Sequence, residues 1–169
     1  MKVNVDELKI NEISTERLNE YLDLVSLVKS NMEHPEWLGD FSKEDYFDLI
    51  KNGSHIYGWF YNNELIASGV LIPSTKRNLD KFFSSELNYE EVVDFGPQMV
   101  HIKYIGNHLQ SQIINYLEIK SLELGYKYAL STIHPDNVYS IKNLINSNFK
   151  DIGFIELKRG PRKIYRKKF

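Results

Sequence analysis

The sequence predicts an α/β (α+β) fold: one mixed, mostly antiparallel sheet of about six to seven strands, flanked by about four helices. Three observations predict it. Two aromatic and β-branched runs, His55–Tyr61 and Leu65–Ile72, flank Asn62-Asn63, residues that tolerate the left-handed backbone of a tight hairpin turn. A helical stretch, Gly106–Leu124, lies between the strand-like segments Val92–Ile102 and Tyr128–Ile133, with Leu109, Ile113 and Leu117 on one stripe. Two more strand-like runs, Phe149–Leu157 and Lys163–Lys167, close the chain.

The remaining elements fall into place around these. Leu8–Ile13 reads as a short strand. Ser14 or Thr15 can cap a helix in which Leu18, Tyr21, Leu22, Val25 and Val28 recur at helical spacing. A polar break with Pro35 separates it from a second helix, Lys43–Lys51, which Asn52-Gly53 closes. The stretch from Pro73 to Asn88 holds at most a helical turn around Leu79–Phe83, and Gly96-Pro97 marks a bend in the strand that follows. Asp136–Asn146 forms the fourth helix, and Asn148 stands where a helix end favours positive φ.

With 169 residues the chain fits one domain over residues 1–169. It has no cysteine, which excludes disulfides, thiolate metal sites and a cysteine nucleophile; no metal is expected. The first residues lack the apolar core of a signal peptide, and no apolar run approaches the roughly 18 residues of a membrane span. The expectation is a cytoplasmic protein with no membrane association, monomeric or homodimeric. Seven of the 21 basic side chains lie from Lys158 onward, where there is no acid. Such a tail can meet nucleic acid. Ile164 and Tyr165 in its midst instead fit a terminal strand whose edge is guarded by lysines, and no nucleic-acid partner is expected.

The segment that carries chemistry is Val100-His101-Ile102-Lys103-Tyr104-Ile105-Gly106-Asn107-His108-Leu109-Gln110. A strand runs through a glycine turn into a helix whose first amides lack intrahelical acceptors, an arrangement suited to a diphosphate. A second strand-to-helix junction, His134-Pro135-Asp136-Asn137-Val138-Tyr139-Ser140-Ile141, presents Asn137 and Ser140 one turn apart. No Gly-x-Gly-x-x-Gly follows a strand, which sets aside a dinucleotide fold.

These segments resemble the GNAT superfamily of acetyltransferases, whose phosphate loop often reads Val-x-Pro-x-Tyr-Arg-Gly-x-Gly-Leu. Val100–Leu109 matches that loop, and Pro135-Asp136-Asn137, Ser140-Ile141 and Asn148-Phe149 match the family's later elements. Ile102 replaces the family's proline, Ile105 its arginine and His108 its second glycine. The resemblance implies acetyl-CoA as cosubstrate, bound by Val100, Ile102, Ile105, Gly106, Asn107, His108, Leu109, Gln110, Asn137 and Ser140. It also implies direct attack of a primary amine, from a small molecule or a protein, on the thioester. The strand Met99–Ile102 would part from its neighbour and offer backbone groups to the pantetheine arm and the oxyanion.

The amine must lose a proton first. Asp94 is the foremost candidate base, ahead of Glu90, Glu91 and His101. The tyrosine with which many relatives protonate the departing thiolate is replaced by Leu144, so an alternative is a CoA-binding sensor or scaffold without efficient turnover. An acceptor pocket would draw on His34, Trp37, Phe41 and the Lys158–Lys163 turn. Tyr57, Trp59 and Tyr61 either line that side or fill a helix-covered sheet face.

Overall fold

The computed structural model describes all 169 residues as seven strands and five helices. Their order in the mixed sheet is β1 (Lys9–Glu12), β2 (His55–Tyr61), β3 (Glu64–Pro73), β4 (Val92–Val100), β5 (Tyr128–Ile133), β7 (Gly160–Lys168), β6 (Lys150–Leu157). The fifth helix, α3 (Lys76–Lys81), is a fuller version of the turn expected near Leu79, set by Thr75, whose Oγ1 accepts the Asn78 amide at 3.1 Å. No helix is long and apolar enough to cross a membrane. The chain folds as two compact units, Met1–Val70 with Pro97–Ile113 and Leu71–Gly96 with Ile114–Phe169.

The first unit contains β1 (Lys9–Glu12), α1 (Leu18–Ser30), α2 (Lys43–Lys51), β2 (His55–Tyr61) and most of β3 (Glu64–Pro73). Leu18, Tyr21, Leu24, Val25 and Val28 of α1 are buried, and Tyr21 meets Tyr46 of α2 edge-on at 4.8 Å. A capping box starts α2: the Asp45 amide donates to Ser42 Oγ at 3.1 Å and the Ser42 amide to Asp45 Oδ2 at 2.7 Å. Asn62 and Asn63 turn the hairpin at φ 49° and 63°, as their side chains allow. Tyr57 and Trp59 are buried, so two of the three alternating aromatics are core.

The second unit contains α3, the first half of β4 (Val92–Val100), most of α4 (Leu109–Glu123), β5 (Tyr128–Ile133), α5 (Val138–Asn146), β6 (Lys150–Leu157) and β7 (Gly160–Lys168). Leu79, Val92 and Leu130 pack together with Phe82, Leu87, Tyr128 and Ile152 around them. The basic C-terminal segment forms a strand, but not an edge strand. β7 is antiparallel to β5 on one side and to β6 on the other, which places it inside the sheet. Three of its charges are matched there: Lys163 to Asp151 at 3.4 Å, Arg166 to Glu86 at 2.6 Å and Lys167 to Glu118 at 2.8 Å.

The start of α4 differs from expectation. The helix begins at Leu109, three residues after Gly106, because Gly106 and His108 both take positive φ, 87° and 56°, which no right-handed helix accommodates.

Candidate functional site

The loop leaving β4 is built on the first unit's hairpin. The His101 amide donates to the Ile66 carbonyl at 2.7 Å, and residues Ile102–Tyr104 then form a single 3-10 turn. Tyr104 is buried, and its hydroxyl donates to Glu64 Oε2 at 2.8 Å. Phenolate next to a carboxylate is unfavourable, so this contact raises the Tyr104 pKa. His101 is also buried, edge-on to Tyr104 at 5.4 Å. Its Nδ1 accepts the Lys103 amide at 3.1 Å, which assigns the ring proton to Nε2, 3.6 Å from Glu64 Oε1. In that tautomer the His101 lone pair is taken up by the Lys103 amide. Glu64 and His101 also line an open cavity of 360 Å³ beside α1.

Past Tyr104 the backbone alternates in hand. Gly106 and His108 are left-handed and Asn107 between them is not. Successive residues of opposite hand turn their N–H groups into one concavity, which binds anions. The first helical bond of α4 runs from the Gln112 amide to the His108 carbonyl at 3.2 Å, so the amides of Leu109, Gln110 and Ser111 precede it at the positive end of the helix dipole. A Cβ added to Gly106 would meet no atom within 4 Å: the glycine is required by its φ of +87°, not by crowding. Leu109 is buried, Val100 and Gln110 are half-buried, and His108, Ile102 and Ile105 are exposed, Ile105 at 67%. The turn is thus lined by backbone amides, with the exposed side chains at its edge.

Asn107 is the exception. Its carboxamide is engaged by chain from the far end of the sequence: the Val3 amide donates to Oδ1 at 3.0 Å, and Nδ2 donates to the carbonyls of Met1 and Tyr104, each at 2.8 Å.

In the second unit the parallel pairing of β4 with β5 covers three residue pairs and stops at Asp94–Leu130. Ser131–Ile133 continue to pair with β7 on their other side. Past Asp94 the pairing of β4 with β5 ends. Asp94 at this fork is half-buried: Oδ2 accepts Asn78 Nδ2 at 3.0 Å, while Oδ1 is inaccessible and has no hydrogen-bond partner. Desolvation pushes its pKa up to about 6, and Asn78 and the nearby Ser74 hydroxyl pull it back only in part. Of its rivals, Glu91 is paired with Lys127 and Glu90 is exposed at the strand's approach.

Asn137 caps α5 with its own side chain, Oδ1 accepting the Ser140 amide at 3.3 Å. Leu144 is buried in the core, whereas Tyr139 is 81% exposed. His34 stacks on Trp37 at 4.6 Å, and Phe41 packs against Tyr46 at 5.3 Å. No group of three or more His, Asp or Glu side chains is arranged to hold a metal ion. The loop residues Val100–Gln110 thus belong to the first unit, and Asp94, Asn137 and Ser140 to the second. Sequence reasoning missed Glu64 and the Met1–Val3 contact, since the partners lie 40 and 104 residues away from Tyr104 and Asn107 respectively, beyond any local pattern.

No protein-family model and no curated protein sequence matches the chain. Solved structures do. An N-acetyltransferase from Staphylococcus aureus Mu50 superposes with a TM-score of 0.74 at 16% identity, over 95% of this chain and 98% of that one. A GNAT family acetyltransferase from Elizabethkingia anophelis with acetyl-CoA bound gives 0.69 at 16% identity, over 97% and 99%. A ribosomal-protein-alanine N-acetyltransferase from Brucella melitensis gives 0.74 at 12% identity, over 95% and 99%. With a seven-stranded mixed sheet in this order, five helices and near-complete overlap with those structures, the chain has the fold of the GNAT acetyltransferases.

Proposed function

We propose that the chain is an acetyl-CoA-dependent N-acetyltransferase, acting as one domain over residues 1–169, which transfers acetyl to a primary amine by direct attack on the thioester. The observation that carries this reading is the loop of alternating hand at residues 106–108 leading into the first amides of α4. It is an anion cradle, and the superposed Elizabethkingia structure has acetyl-CoA bound. In this reading the backbone of Gly106, Asn107, His108, Leu109 and Gln110 takes the diphosphate, with Val100, Ile102 and Ile105 along the approach and Asn137 and Ser140 as further contacts. The parted end of β4 gives the pantetheine arm its backbone partners, and a β4 amide meets the developing oxyanion. Asp94 takes the proton from the amine. Its raised pKa supports that role, because a base titrating near 6 is both ionised at neutral pH and more basic than an ordinary carboxylate.

Binding is tested by thermal unfolding. A ligand that binds only the native state stabilises it by about 2.7 kcal/mol at a hundredfold excess over Kd, or about 5–10 °C for a chain of this size. No shift at millimolar acetyl-CoA would remove the reading. The burial of Leu144, which leaves no tyrosine acid at that position, favours a second reading: a CoA sensor with the same site and no turnover. Thiol release across a panel of amines separates the two.

His108 offers a finer test. A side chain at φ 56° carries roughly 1 kcal/mol of strain and narrows the backbone's approach to a diphosphate. His108→Gly should leave stability within about 1 kcal/mol, because relief of strain offsets the added chain entropy. Acetyl-CoA should bind several-fold tighter by calorimetry. Weaker binding would instead assign the imidazole a direct contact.

A further inference from the structure

The residues between Tyr104 and Leu109 bridge two buried anchors, 4% and 2% exposed, and are themselves largely exposed. Left to itself, such a segment samples many conformations and must be ordered each time it closes on an anion, which weakens binding. The carboxamide of Asn107 removes much of that freedom. Its Nδ2 bond to the Tyr104 carbonyl folds the segment back onto its own anchor, and Tyr104 is in turn fixed by Glu64. The same carboxamide accepts the Val3 amide and donates to the Met1 carbonyl, as a neighbouring strand would. The N-terminal residues therefore lie along the loop and hold its one functional side-chain tether in place.

We propose that residues 1–3 are an integral strap of the anion cradle, and that Asn107 is a positioning residue that transmits their hold to the left-handed pair Gly106 and His108. The proposal rests on the acetyl-CoA reading for its ligand, but not for the strap itself. Nothing in the sequence near Gly106 marks Met1 or Val3 as part of the site. The strap works through the Val3 N–H and the Met1 carbonyl on the Asn107 carboxamide, and through the Met1 amino group, which donates to the Lys103 carbonyl at 2.6 Å, so the side chains of residues 1–3 are free to vary while the Val3 N–H is not.

The test uses three variants of the full chain: Asn107→Ala, Val3→Pro, which removes the N–H donor, and the two combined. Without ligand, hydrogen exchange at the amides of residues 105–108 should quicken in each single variant. The double variant should exchange no faster than Asn107→Ala, because both changes break one linkage. With acetyl-CoA, Kd and KM should rise about tenfold in each, with kcat within twofold, and again without addition in the double. Asn107→Asp keeps the acceptor for Val3 and loses both donated bonds, so its exchange without ligand should fall between parent and Asn107→Ala, while its added negative charge should weaken acetyl-CoA binding further. It also preserves the test should Val3→Pro fail to fold. Unchanged exchange at residues 105–108 overturns the strap. Faster exchange with unchanged acetyl-CoA affinity overturns the positioning role. If the parent itself does not bind acetyl-CoA, the functional reading falls, and exchange alone still decides whether the strap exists.

Discussion

Asp94→Asn is expected to make the protein more stable and nearly inactive. The substitution keeps the size of the side chain and can keep the Asn78 contact, but it removes a charge from a site where one oxygen is sealed from water without a partner. A shift from 3.8 to about 6 corresponds to about 3 kcal/mol of unfavourable burial at neutral pH. The sign follows from which form the fold prefers. Because the folded-state pKa is the higher one, the neutral acid favours folding: this contribution is complete below about pH 4 and is lost as pH rises through about 6. The variant should therefore gain several degrees in Tm at pH 7.5 and little at pH 4, measured as the difference between the two proteins so that other groups cancel. Activity should move the other way. Loss of a general base typically costs 10²–10⁴-fold, and the low-pH limb of the parent's kcat/KM, centred near pH 6, should vanish. A variant as active as the parent would return Asp94 to the status of a buried structural acid.

The second large effect concerns Gly106. Gly106→Glu should abolish acetyl-CoA binding without unfolding the chain. Space is available, since a Cβ meets nothing within 4 Å, so the folding cost is confined to the positive φ, about 1–2 kcal/mol. The binding cost is larger. A carboxylate about 4 Å from a phosphate in partly screened surroundings repels it by about 4 kcal/mol. Even half of that weakens binding more than tenfold. Gly106→Ala is the control: it carries the same strain and no charge, so it should lose stability by a similar amount and keep most of its affinity. Calorimetric titration of both variants decides the matter, and equal affinity in Gly106→Glu and the parent places the diphosphate elsewhere.

The parts of this fold that were legible in the sequence are those set by neighbouring residues. Asn62-Asn63 announces its turn because two asparagines tolerate φ of 49° and 63°, and Asn148 marks the end of α5 at φ 65° for the same reason. The strand at Tyr128–Ile133 matches its expected bounds, since six residues with Gly125 before and Pro135 after admit little else. What could not be read are the long-range consequences. Nothing local says that β7 enters between β5 and β6, because its lysines and arginines look like an edge until Asp151, Glu86 and Glu118 are brought opposite them. The late start of α4 was hidden for another reason: His108 is not a residue type that declares a left-handed backbone, and only the fold imposes it. The same holds for the site. The loop was visible as a glycine turn before a helix, whereas the burial that raises the Asp94 pKa comes only with the tertiary packing, as do the Asn78 and Ser74 contacts that partly oppose it.

The fork at Asp94–Leu130 bears on how such a chain can drift in sequence. Where two strands stop pairing, the groups left for a guest are peptide N–H and C=O, which every residue except proline supplies in full. The loop beyond makes the same kind of offer at Gly106 and His108. Natural selection acting on a site made of peptide groups sees mainly backbone geometry, and a substitution is tolerated whenever the chain still bends the same way. Chains 12–16% identical can then superpose over nearly their whole length, as these do. Ile105 and His108 can likewise stand where the loop it resembles has arginine and glycine while the backbone keeps its alternating hand at residues 106–108.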